Sequence, residues 1–165
     1  MIVTNFAEKY LFQSVSIAPL VTFRILFGAL MAYGTIRFWY MGWIEKLYIE
    51  PSFFFKFFGF EWVQVPGEPW IYLLFMIIIL SALGIMTGLF YRLSAIVFFL
   101  SFTYSELLDA TNYLNHYYLV CLLSFLLIFL PAHRSFSLDM LKNRHSNYLK
   151  FRIGVSILSL SLIHI

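Results

Sequence analysis

Long stretches without a charged residue constrain this chain more than any other feature. A helix crossing a bilayer needs about 20 mostly apolar residues at ~1.5 Å of rise each. Two such runs are unbroken, Pro69 to Tyr91 and Ala110 to His133. Trp70, Tyr72 and Tyr91 mark the ends of the first, as aromatic residues do where a helix leaves hydrocarbon, and Pro131 closes the second. Ala18 to Tyr40 makes a third span, although Arg24 lies within it and Arg37 near its end. Leu93 to Leu108 makes a fourth, reaching only about 24 Å, so Glu106 and Asp109 are expected near headgroup level. The predicted fold is all-α, an integral membrane bundle of four spans with a further apolar run opening at Phe151.

Composition closes the alternatives. With 62% hydrophobic and only 12% charged residues, the chain cannot clothe a water-soluble surface. Its net charge of +3 is too small and too scattered for a nucleic-acid groove. Cys121 is the single cysteine, set in an apolar run, and reads as a small hydrophobe. The histidines at 116, 133, 145 and 164 lack ligand spacing, so no metal site is expected. No paired inverted repeat suggests a transporter.

Residues 1–17 read as an amphipathic interfacial segment, 18–150 as the membrane domain and 151–165 as the start of a truncated span. The ending Leu160 to Ile165 matches translated sequencing-adapter codons, so the chain is expected to be an amino-terminal fragment. Only Tyr91 and Arg92 separate the second and third spans, which are therefore antiparallel neighbours. Gly84 and Gly88 form a small-xxx-small pair suited to close helix packing. Lys9, Arg92, Arg134, Lys142, Arg144, Lys150 and Arg152 fall on one side of the bilayer, against Lys46 and Lys56 on the other. That asymmetry puts the amino terminus in the cytoplasm and the Asp109 to His116 loop in the periplasm or lumen.

Polar residues that interrupt an apolar chain are costly and tend to mark function. From Thr103 to Tyr118 the sequence reads T-Y-S-E-L-L-D-A-T-N-Y-L-N-H-Y-Y. Two readings share these residues. Asp109, Thr111 and Asn112 serve as ordinary helix-ending and capping groups, or the cluster is a site.

At these residues the chain resembles the membrane domain of vitamin K-dependent gamma-carboxylases, in particular bacterial relatives described as carrying a horizontally transferred transmembrane domain. The resemblance runs from about Leu20 to Leu141 through Phe23 to Gly28, Tyr48-Ile49-Glu50-Pro51 and Leu83 to Ser94. It continues through Asp109-Ala110-Thr111, Asn115 to Leu119 and Phe136 to Asp139.

The resemblance implies quinol epoxidation coupled to carboxylation of glutamyl side chains. The cofactor would be reduced vitamin K or a menaquinol-type naphthoquinone, with oxygen and carbon dioxide as co-substrates. Partners would be the lipid bilayer and a glutamate-containing protein. The implied site comprises Glu106, Asp109, Ala110, Thr111, Asn115 and His116, with Phe102, Tyr104, Tyr113 and Tyr117 beside the cofactor and Phe98 and Phe99 in reserve. Asp109 and Thr111 would shape the loop, and Asn115 and His116 would hold an oxyanion or carboxylate. Arg24 and Arg92 would pair with acids or phosphate headgroups.

One position departs from the family. Where the family has the lysine that deprotonates the hydroquinone, this chain has Ala110. A methyl group cannot take a proton, and loss of a general base typically costs about a hundredfold to ten-thousandfold in rate. The expected activity is therefore impaired, with Glu106 or His116 as substitute bases. The alternative is a non-catalytic quinone-binding or scaffold protein that keeps the bundle without the base.

Overall fold

The computed structural model describes residues 18–112, 114–130 and 132, and among these the fold is all-helical. Four helices follow in order: α1 (Ala18–Tyr40), α2 (Glu68–Thr87), α3 (Tyr91–Leu107) and α4 (Asn115–Phe129). A single π-helical turn, Glu45–Ile49, interrupts the loop after α1, and a 3-10 turn, Ala110–Asn112, follows α3. With 23 and 20 residues, α1 and α2 are long and apolar enough to cross a membrane. α3 and α4 have 17 and 15 residues. The interfacial segment expected at 1–17 and the run expected at 151–165 lie outside the described residues.

Backbone chemistry fixes the boundaries. Gly67 caps α2, and Pro69 sits in its first turn, where a missing N–H costs nothing. At the other end Gly88 turns left-handed at φ 69°. Its N–H reaches the Ile85 carbonyl at 3.3 Å, while that of Leu89 reaches Gly84 at 3.1 Å. These are the two bonds of a Schellman motif. The expected connection of Tyr91 and Arg92 is therefore displaced: Gly88, Leu89 and Phe90 make the turn, and Tyr91 already begins α3. Phe90 takes φ 43°, a left-handed conformation that costs a residue with a Cβ roughly 1–2 kcal/mol. Gly88 thus ends a helix, whereas Gly84 packs, since a Cβ there would strike the Ser94 side chain on α3.

Each helix packs on its neighbour in sequence, and α1 and α4 form no comparable interface. Gly28 sets the closest approach of α1 to α2, because a Cβ on it would stand 2.6 Å from the Met86 nitrogen and 2.7 Å from the Ala82 oxygen. Phe27 meets Phe98 edge to face at 5.8 Å, and Phe98 stacks on Phe102 at 5.4 Å. Ile71, Ile78, Ala82, Ile85 and Ala95 fill the rest of the core. Outward faces are equally apolar: Leu26, Leu30, Leu80, Leu93, Leu100 and Phe129 are exposed. Helices that are apolar all round suit a lipid surrounding.

Several buried or half-buried polar groups bond locally or across helices. Ser81, Thr87 and Ser101 donate to carbonyls four residues back in their own helices, at 2.7, 2.9 and 2.7 Å. Arg24 is wholly buried, and its Nη1 donates to the Ala132 carbonyl at 2.9 Å. The Tyr91 hydroxyl donates to Leu127 O at 2.6 Å, occupying a carbonyl that the last turn of α4 leaves unpaired. Together these bonds fasten the carboxyl-terminal end of α4 to α1 and α3.

Candidate functional site

The motif turn is built around one carboxylate. Asp109, 8% exposed, accepts the backbone N–H of Thr111 at 3.0 Å on Oδ1, closing an Asx turn. Thr111 Oγ1 and Asn112 Nδ2 donate to Oδ2 at 2.7 and 3.3 Å. The fourth donor is distant in sequence, the Phe55 N–H at 3.2 Å on Oδ1. Ala110 N returns a bond to the Phe55 carbonyl at 2.8 Å. Lys56 brings an amine to the same turn, donating from Nζ to Leu108 O at 3.4 Å. An ionised carboxylate has about four acceptor positions, and Asp109 has filled that complement.

This docking anchors the long first loop over the ends of the helices. Tyr104 adds a tie from α3, its hydroxyl donating to Gln64 O at 2.8 Å. Tyr72 adds one from α2, donating to Glu45 Oε1 at 2.9 Å. The loop thereby presses Tyr48 inward. Burial, and then the neighbouring Glu106, Tyr117 and Asp109, hold the Tyr48 phenol above its ordinary range.

A cavity of about 780 Å³ lies between α1 and α4, floored by Phe75 and Ile78 of α2 and by the end of α3. Leu26, Leu30, Leu119 and Leu123 form much of its wall. Leu26, Leu30 and Leu119 are exposed, so the cavity opens sideways onto the exposed apolar surface. Its polar groups gather at one end, where α1 finishes and α4 starts: Arg37, Glu106, Asp109, Asn112 and His116, with Tyr48 and Tyr117 beside them. The Arg37 guanidinium lies over the Trp43 ring, 5.7 Å from its centre.

Of the residues singled out from sequence, Phe102, Glu106, Asp109, His116 and Tyr117 line this cavity together. Phe102 and Tyr117 meet edge to face at 6.0 Å, and the His116 ring leans on Tyr117 at 4.4 Å. Ala110, Thr111, Asn115 and Tyr104 are outside its lining. Tyr113 lies outside the described residues. Phe98 belongs to the core and Phe99 packs on Phe125 at 5.3 Å. Sequence reasoning missed the whole α1 wall, including Phe27 and Arg37, and the loop residue Tyr48. Nothing in an evenly apolar helix marks which side faces a cavity.

The two acids of the cavity differ in one respect. Asp109 has spent its lone pairs on four donors, whereas the Glu106 carboxylate has no hydrogen-bond partner among the described residues. A family model, the HTTM domain, matches residues 12–155. No solved structure matches the chain.

Proposed function

The chain belongs to the HTTM domain family, the domain found in the vitamin K-dependent gamma-carboxylase family, and on that premise we propose that it is a gamma-carboxylase-like membrane protein. Its cavity between α1, α3 and α4 takes a reduced naphthoquinone of the vitamin K or menaquinol type. Quinol epoxidation, coupled to carboxylation of glutamyl residues of a protein partner, is depressed by the alanine at position 110. The observation that carries this reading is the cavity itself: about 780 Å³, apolar along its walls and polar at one end. Sites for small apolar cofactors commonly span about 300–1,000 Å³ and combine such walls with a few convergent polar groups.

Phe27, Phe102 and Tyr117 would hold the ring by packing, and Glu106 and His116 would meet its oxygens. When bound, the quinol would supply the reducing equivalents and, with oxygen, the strong base that removes the glutamyl proton, carbon dioxide being the group then added to that carbon. Asp109 and Thr111 keep the turn in shape, the apolar walls exclude water, and Ala110 offers no proton acceptor. In this reading all four helices cross the bilayer, residues 18–150 form the membrane domain, the amino terminus is cytoplasmic and the cavity's polar end is periplasmic or lumenal. α3 and α4, at about 26 and 22 Å, reach across with their polar ends at headgroup level.

The test is to titrate the purified chain in lipid nanodiscs with the naphthoquinone menadione, following tryptophan fluorescence, and to assay epoxide after adding vitamin K hydroquinone and oxygen. Saturable binding with slow epoxide formation is expected. Absence of saturable binding overturns the reading. A second reading, a non-catalytic quinone-binding or scaffold protein, is favoured by Ala110 alone, and saturable binding without any epoxide would establish it.

A further inference from the structure

We propose that Glu106 selects the reduced, hydroxyl-bearing form of the ring over the oxidised form. The inference rests on the quinone-cavity reading and adds to it the residue that sets specificity. Glu106 lies in the last turn of α3 and lines the polar end of the cavity. Among the described residues its carboxylate accepts no hydrogen bond, and no Lys, Arg or His stands within ion-pair distance of it. The ionisable groups around it are Tyr48 from the first loop and Tyr117 and Cys121 from α4. Asp109, one turn later, has its four donors already in place, and the Asn112 amide that faces the cavity is bonded to it. Glu106 is therefore the carboxylate of this cavity with acceptor capacity left over.

An ionised carboxylate only accepts hydrogen bonds. A hydroquinone offers O–H donors, and a bond from one of them to Glu106 is charge-assisted, roughly twice as strong as a neutral one. An oxidised quinone offers carbonyl oxygens alone, and lone pairs facing lone pairs repel. Preference for the reduced form thus comes both from a bond to one redox state and from repulsion of the other. A glutamine at this position would keep the size of the side chain but could donate as well as accept, and would suit either form.

The experiment uses the full chain in nanodiscs at about pH 9, well above the ordinary carboxylate range. Dissociation constants are measured anaerobically for menadiol and for its oxidised form, menadione. The wild type is expected to bind menadiol at least about tenfold more tightly than menadione. Glu106→Gln is expected to bring the two within about twofold, and Glu106→Asp to keep the order of preference. Equal affinities in the wild type, or an undiminished preference in Glu106→Gln, overturn the assignment to Glu106 and leave the cavity reading in place. Failure of the wild type to bind either form overturns both. Should Glu106→Gln misfold, the wild-type ratio and its persistence in Glu106→Asp decide the matter.

Discussion

The Asp109 carboxylate accepts the backbone N–H of Phe55, 54 residues earlier in the chain, at 3.2 Å. This bond joins the first loop to the motif turn and shares its oxygen with the Asx bond of Thr111. Asp109→Asn replaces one acceptor oxygen by an amine and sets donor against donor. A loss of about 2–3 kcal/mol is expected, read as a lowered midpoint of thermal unfolding in detergent. Thr111→Val removes one side-chain bond and is expected to cost about 1 kcal/mol.

Ala110 follows Asp109 directly in the chain, outside the cavity lining, and carries no ionisable group. Ala110→Lys is expected to raise quinol epoxidation in liposomes by about a hundredfold or more, the usual yield of a positioned general base. Chromatographic quantitation of the epoxide checks this. Unchanged turnover would show that the base lies elsewhere.

Two glycines of α1 are expected to respond with opposite signs. Gly28→Ala drives a Cβ into the backbone of α2, 2.6 Å from Met86 N, and is expected to destabilise by about 1–3 kcal/mol. Gly34 has nothing within 4 Å of its virtual Cβ, so Gly34→Ala is expected to be neutral or to stabilise by up to about 1 kcal/mol. Parallel melts of the two variants in one detergent decide the comparison.

Arg24 ties α1 to the segment after α4 through the Ala132 carbonyl. Arg24→Met keeps volume but leaves that buried carbonyl without its charged donor, for an expected loss of about 2–3 kcal/mol. Arg24→Lys is not expected to restore stability, because a strongly hydrated ammonium costs more to bury than a guanidinium. Thermal melts of both variants in one detergent check the expected losses.

Tyr48 makes the chain sensitive to alkali. Its phenol is buried beside Glu106 and Asp109, so its folded-state pKa lies above that of the unfolded chain. The stability it contributes is complete below the unfolded value of about 10 and is lost as pH rises towards the folded one. Tyr48→Phe is expected to leave the melting midpoint at pH 7 unchanged and to flatten its fall above about pH 10.

Much of the helical framework is legible in single residues. The apolar run that ends at Tyr40 coincides with α1, and Gly67 and Pro69 announce the start of α2. Boundaries governed by turn chemistry are less visible. Gly88 looks like half of a packing pair, yet its left-handed φ closes α2. The apolar run from Ala110 looks continuous with a span, yet the Asp109 turn holds 110–112 as a 3-10 turn and α4 begins at Asn115. The charge of Arg24 is plain in sequence, but its bond to a carbonyl 108 residues away is not.

By itself, the sequence determined that this chain forms long apolar helices suited to lipid and that its polar residues concentrate between Thr103 and Tyr118. Those properties depend on composition and local periodicity, which the chain carries wherever it folds. Tertiary structure alone decided that α1 supplies a cavity wall, that Phe55 completes the hydrogen bonding of Asp109, and that Glu106 accepts no bond from the described residues. Each depends on backbone groups brought together across the fold. Side-chain identity does not encode such meetings, least of all in helices whose every face is apolar.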